Sequence, residues 1–319
     1  MIKQTLFFFF LFPLYLFSQT PIEKGLSSIS KDAAQLYIGV LASDSLEGRQ
    51  AGSDGGIKAA EYLRGIFKEI GLKPWKKDYF QIFDASSRAP YKGLSMRNVL
   101  GYIEGRNSDE IVIIGAHYDH LGIKRNNTND SIYNGADDNA SGTSAVLQVA
   151  KAFMASGQQP ERTVIFALWD AEEIGLIGSM YFVDDHYKNV VIPRMFPQVI
   201  KGYINCDMIG RDRDETSFNH VITYVTDGND TLKDWVTSGV KQYNLGLAPE
   251  FRSDKDMPGG SDHMPFAMKG VPYIFYFTDL HPDYHQSSDH ADKINYDKAT
   301  EITKSAFISL WNMANTKEF

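Results

Sequence analysis

Short apolar runs recur along this chain, and most give out into a cluster of acids and histidines. Ile111–Gly115 runs into Ala116-His117-Tyr118-Asp119-His120, Val164–Leu168 into Asp170-Ala171-Glu172-Glu173, and Val199–Ile204 into Asp207. Val271–Phe277 leads through a short loop to His285 and Asp289, and Asn98–Ile103 completes the set. Several of these runs lack the polar alternation of a strand that faces water, so they read as strands buried on both faces. Helical patterns lie between them, at Ser141–Ala155, Gly175–Tyr181, Leu232–Tyr243 and Ala299–Met313. Earlier, Ile22–Leu41 is helical, and Ile57, Leu63, Ile66, Phe67 and Ile70 recur behind Ser53 or Asp54 and stop at Gly71. This alternation predicts an α/β fold: a three-layer sandwich with a mixed, mostly parallel central sheet flanked by helices. The polar stretches Arg211–Phe218 and Ser253–Gly260 read as insertions around one edge.

In open α/β sheets the carboxyl ends of the strands form the ligand crevice. Four of the polar clusters follow strands, and the fifth, Gly135-Ala136-Asp137-Asp138-Asn139, lies just before the Ser141 helix. They are therefore expected to converge, although they span more than half the chain. Taken singly, His-x-Asp is a polar loop, Glu172-Glu173 a solvated helix start and Asp137-Asp138-Asn139 a turn. Together they place several carboxylates and two or three imidazoles in one crevice. Like charges packed so closely repel, and a metal resolves the conflict; imidazole with carboxylate suits zinc. More than four candidate ligands points to two ions sharing a carboxylate. In Glu172-Glu173, one side chain can ligate while its neighbour stays free as a general base. Asp119, two residues after His117, is placed to orient that imidazole.

The chain has 319 residues, 40 acidic against 32 basic, and a formal charge of −8. That balance argues against a nucleic-acid partner, which a basic stripe would announce. The one cysteine, Cys206, excludes an intrachain disulfide framework and a cysteine-built zinc finger. At the start, Lys3 precedes an apolar run from Leu6 to Phe17 and then Ser18. The run is too short to span a bilayer and contains Pro13, so it reads as a secretory signal peptide cut near Ser18. The expected organisation is a signal peptide at 1–18 and one catalytic domain at 19–319. The mature product would be periplasmic or secreted, with no stable membrane insertion.

The segments AHYDH, GADDNASG, DAEEIGLIGS, INCDMIG, GGSDHMPF and YHQSSD resemble the co-catalytic zinc aminopeptidase family. Bacterial leucyl aminopeptidases and relatives of glutamate carboxypeptidase belong to it. The resemblance runs from about Leu41 to the C-terminus. It implies two Zn²⁺ ions per chain and peptide substrates with a free N-terminus. Asp137, joined to Asp138 by a cis peptide, would bridge both ions, His117 and Asp207 would complete one, and Glu173 and His285 the other. Glu172 would be the general base, Asp119 would hold His117, and Ser261 would support Asp207. His285 is preferred to His290 because the family places a histidine four residues before an aspartate, here Asp289. His120, His281 and His290 are neighbours without an assigned role, and His263 is expected to shape the pocket. The pocket walls are expected from Arg211–Gly260.

Other readings share parts of this pattern. A single-zinc glutaminyl cyclase would replace part of the ligand set, and a non-catalytic module on the fold would lose ligands; here all five positions are filled. Carboxypeptidase and dipeptidase activities share the metal core. A serine hydrolase is disfavoured, because Ser261-Asp262-His263 are sequential and there is no G-x-S-x-G elbow.

Overall fold

The computed structural model describes residues 19–75, 77–85, 93–124, 130–188, 198–214, 216–257 and 259–319. The signal-peptide reading at 1–18 lies outside the described residues. Among the described residues, no helix is long and apolar enough to cross a membrane.

Among the described residues, a nine-stranded sheet is the frame. Its strands are β1 (Lys73–Pro74), β2 (Phe80–Asp84), β3 (Ser95–Ile103), β4 (Asn107–His117), β7 (Arg162–Trp169), β8 (Val199–Cys206), β9 (His220–Val225), β10 (Ala248–Arg252) and β11 (Tyr273–Phe277). Two further short strands, β5 (Gly122–Ile123) and β6 (Ile132–Tyr133), pair with each other. The order is β1-β3-β7-β4-β8-β11-β9-β10, with β2 also on β3. β7, β4, β8 and β11 are mutually parallel. β3 is antiparallel to β7 on one side, and β9 is antiparallel to β11 on the other. The parallel block is the part that matters for the site, since all four carboxyl ends emerge at one edge.

Helices cover both faces. Those in chain order are α1 (Pro21–Ser28), α2 (Lys31–Leu41), α3 (Asp54–Ile70), α4 (Gly142–Ser156), α5 (Ile177–Lys188), α6 (Asp230–Gln242), α7 (Met264–Ala267) and α8 (Tyr296–Asn315). Val112, Ile114, Val164 and Phe166 pack beneath α2, α3, α4 and α8, while Ile111, Ile113, Ile165 and Ala167 pack against α5 and α7. Alternate residues of β4 and β7 thus feed opposite cores, which is why their sequences are apolar without a break.

The helix read across Ile22–Leu41 divides at Ile29-Ser30, where Ser30 caps α2 by accepting from the Ala33 N–H. α3 starts and stops as its sequence signals require, with Ser53 accepting from the Gly56 N–H and Gly71 in the left-handed conformation. β9 and β10 had no strand reading in the sequence. They lie between the two polar stretches taken for insertions, and β10 is a half-buried edge strand that carries Pro249. Cys206 is fully buried beside Asp207, and burial pushes its thiol pKa up.

Candidate metal centre

The carboxyl ends of the four parallel strands bring the polar clusters together. β4 ends on His117, β7 gives way to Asp170-Ala171-Glu172-Glu173, β8 to Asp207, and β11 to the loop that carries His285. Between β6 and α4, residues Ala136–Ser141 form an irregular turn, with non-helical backbone at Asp138 and Asn139, laced to the end of β8. The Asn139 side chain donates to the Cys206 carbonyl and accepts from the Gly142 N–H. The Ile209 N–H donates to the Ser141 hydroxyl at 3.1 Å. Gly142 lets this happen: a Cβ there would lie 2.2 Å from the Cys206 carbonyl oxygen.

One carboxylate faces two donor sets. Asp138 Oδ1 lies 3.3 Å from His117 Nε2, which is itself 3.3 Å from Asp207 Oδ1. Asp138 Oδ2 lies 3.2 Å from His285 Nε2, which is 3.1 Å from Glu173 Oε2. His120 Nδ1 also approaches Glu173, at 2.6 Å from Oε1. Among the described residues, His117, Asp138 and Asp207 form one group able to hold an ion, and His120, Asp138 and Glu173 another.

This arrangement corrects the expectation for Asp137. Its carboxylate is turned away from both groups: Oδ1 accepts from the Gly210 N–H at 2.6 Å and Oδ2 lies 3.2 Å from His281 Nε2. The cis peptide is likewise one residue on, at Asp138–Asn139 rather than Asp137–Asp138. Asp289 Oδ2 accepts from both the Asp137 and Asp138 N–H groups, which sets the backbone so that the second aspartate faces the crevice. His281 therefore belongs with Asp137, and His290 pairs with Asp130.

The neighbouring side chains are held from outside. Ser261 donates to Asp207 Oδ2 at 2.7 Å and accepts from the Asn205 amide. Asp119 Oδ1 lies 3.7 Å from His117 Nδ1, with the Asp119 carbonyl nearer at 3.2 Å. The Asp119 carboxylate also accepts from the Glu172 and Glu173 N–H groups, so it ties the β4 end to the turn after β7.

Glu172 lines a pocket together with His117, Asp138, Asp207, Ser261 and His285. Burial, and then the charges of Asp262, Asp207 and Glu173, push its carboxyl well above the usual range against the pull of His117. The remaining wall is apolar: Met208, Met257, Phe275, Phe277, Leu280 and Tyr284. Met257 and Gly260 come from the region expected to build the wall, but most of it comes from β11 and the loop beyond. Tyr284 stacks on His285 at 3.8 Å between ring centres. His263 stacks on Phe275 behind the wall, and its burial lowers its pKa to about 3, so it packs as a neutral ring.

Arg49 is a residue that sequence reasoning missed. It is fully buried and donates to the carbonyls of Leu41, Tyr118, Asn134 and Gly135. Burial lowers its pKa to about 10, so it remains a cation at neutral pH, near Asp138, Asp119, Asp289 and Glu173. It joins the loop after β4 to the loop before Asp137. Replacing it with methionine strips the donors from buried carbonyls; at about 1–3 kcal/mol for each group left unpaired, a loss of at least about 3 kcal/mol is expected. Urea unfolding of Arg49→Met measures it, and a change below about 1 kcal/mol would contradict the role.

The donor set fits zinc. With bonds of about 2.0–2.1 Å, neighbouring ligands of a tetrahedral zinc sit about 3.3 Å apart. The separations of 3.3 and 3.3 Å around His117, and of 3.2 and 3.1 Å around His285, match that edge.

The family model described as Peptidase family M28 matches residues 98–308. The chain is 28% identical over 276 residues to leupeptin-inactivating enzyme 1 of Streptomyces exfoliatus, covering 86% of this chain and 53% of that protein. It spans about half, or less, of the length of the curated relatives it matches. Among solved structures, Legionella pneumophila LapA aminopeptidase superposes with a TM-score of 0.73 at 21% identity, over 93% of this chain and 75% of that one. A glutaminyl cyclase from Fimbriiglobus ruber superposes with a TM-score of 0.72 at 18% identity, over 89% and 95%. These two likenesses establish a shared fold.

Proposed function

This chain belongs to Peptidase family M28, and on that premise we propose that it is an exported zinc aminopeptidase that holds two ions around Asp138. The observation that carries the reading is the division of Asp138 itself, with one oxygen facing His117 and Asp207 and the other facing His285 and Glu173. Zinc held by these two sets supplies Lewis-acid chemistry, polarising a carbonyl and easing deprotonation of water. Glu172, free of both sets, takes the proton from the attacking water and returns it to the leaving amine. Ser261 fixes Asp207, and Asp119 fixes the turn that carries Glu172.

The pocket also speaks to which end of a peptide it accepts. Glu172, Asp138 and Asp207 line it, and no lysine or arginine does so among the described residues. No side chain of that lining supplies a cation to single out a C-terminal carboxylate, which leaves the free N-terminus as the end the site is proposed to accept. Its apolar wall suits an apolar first residue. Export rests on the signal segment read at residues 1–18, and residues 19–319 are proposed as one catalytic domain.

Matched peptides with free and acetylated N-termini test this on the zinc-loaded protein by mass spectrometry. Stepwise loss of N-terminal residues from the free peptides alone is expected. Cleavage of the blocked peptides from the other end would overturn the reading, and so would conversion of N-terminal glutamine to pyroglutamate.

The metal-free site stores protons. Burial alone would lower the pKa of His117, but Asp207 and Glu172 outweigh it and hold the ring well above its usual value. For His285 the same contest, won by Asp138 and Glu173, ends at about 10. The His285 ring is therefore protonated at pH 7 and must be neutral to ligate, so zinc uptake releases a proton and affinity rises with pH. Calorimetry in buffers of different ionisation heat should show at least one proton released per chain. A heat independent of buffer would contradict this.

A further inference from the structure

His120 sits among the metal-facing side chains but does not share their spacing. Its Nδ1 is 2.6 Å from Glu173 Oε1, a hydrogen-bond distance and well inside the roughly 3.3 Å between ligands of one tetrahedral zinc. His285 Nε2, by contrast, stands 3.1 Å from the other Glu173 oxygen, Oε2. A carboxylate can only accept, so the proton between His120 and Glu173 belongs to Nδ1. The imidazole is fully buried and its Nε2 has no partner among the described residues, while the backbone N–H of His120 donates to the Arg49 carbonyl at 3.2 Å. Its ring lies edge-on to His285, 5.9 Å between centres. Its seat is cut by Gly135, where φ is +57° and a Cβ would come within 2.5 Å of the imidazole.

We propose that His120 is the positioning residue of the second metal set. It binds Glu173 Oε1 and so leaves Oε2 alone to face His285 and Asp138. This makes Glu173 a one-oxygen ligand and fixes its orientation before an ion arrives. The first set, built on His117 and Asp207, has no such contact with His120. The inference rests on the two-zinc reading and adds a residue that the ligand pattern does not contain.

The test is zinc binding by chelator competition on the full chain, for wild type, His120→Ala and His120→Asn, with thermal melts alongside. An asparagine amide nitrogen can stand near the place of Nδ1 and donate to Glu173, but the amide is a poor zinc ligand. His120→Ala should weaken one of the two zincs by about 10–100-fold and leave the other unchanged, while His120→Asn should return to within about threefold of wild type. Cobalt-substituted His120→Asn should keep the wild-type visible bands, because no ligand has changed. If wild type takes up two zincs and His120→Ala binds both as tightly, the positioning role is overturned and the two-zinc reading stands. If His120→Asn is as weak as His120→Ala and its cobalt bands shift, His120 is a ligand and the proposal is wrong. A wild type that binds no zinc overturns the reading and the proposal together.

Discussion

Glu172→Gln is expected to lower kcat on aminoacyl anilides by roughly 10²–10⁴-fold, the contribution of a positioned general acid–base. Zinc content should be unchanged, because Glu172 stands in neither donor set. The substitution preserves shape, exchanges one acceptor oxygen for a donor NH2, and removes the charge together with the ability to accept and return a proton. Its backbone N–H, held by Asp119 Oδ1 at 3.0 Å, is untouched, so the turn after β7 should keep its form. Both measurements are needed: inactivity with lost metal would describe a damaged site, whereas inactivity with full metal isolates the proton transfer. Full activity in the glutamine variant would remove Glu172 from the mechanism.

The second large effect separates two adjacent aspartates. Asp138→Ala leaves His117 with Asp207, and His285 with Glu173, so each three-donor set falls to two. Catalytic zinc sites ordinarily keep three protein ligands. Zinc per chain, measured by mass spectrometry after dialysis, should fall from two to at most one, and peptidase activity should vanish. Asp137→Asn should retain both ions. An asparagine oxygen can still accept from the Gly210 N–H, so what is lost is the charge opposite His281. A modest destabilisation of roughly 1–2 kcal/mol is expected there. The reverse pattern, with metal lost from Asp137→Asn and kept by Asp138→Ala, would restore the bridging role to Asp137.

Much of this site could be read from the chain because strand ends are ordered in sequence. His117, Glu172, Glu173 and Asp207 each follow an apolar run, and the parallel block puts those runs side by side. The choice between Asp137 and Asp138 could not be made that way. Both sit in one loop without periodicity, and what turns one inward is remote: Asp289 on the two N–H groups, and Gly210 and His281 on the first carboxylate. Those contacts join positions 73 to 152 residues apart. Arg49 was hidden for a similar reason. A lone arginine in a polar loop has the signature of a surface charge, and only the fold shows carbonyls from two loops and the end of α2 turned toward it. His120 was visible as a neighbour, but its role depends on a difference of half an ångström between a hydrogen bond at 2.6 Å and a ligand edge at 3.1 Å. At the sheet edge, β10 was missed because it is only half buried and carries a proline, whereas β9 is buried and its Val221–Val225 run carries a strand signal that was passed over between the two polar stretches.

Diffraction from zinc-loaded crystals, collected on both sides of the zinc absorption edge, tests the shared Asp138 carboxylate directly. Two anomalous peaks about 3.5–4 Å apart are predicted, each within about 2.2 Å of a different Asp138 oxygen. A single peak, or a pair bridged by Asp137, would contradict the account.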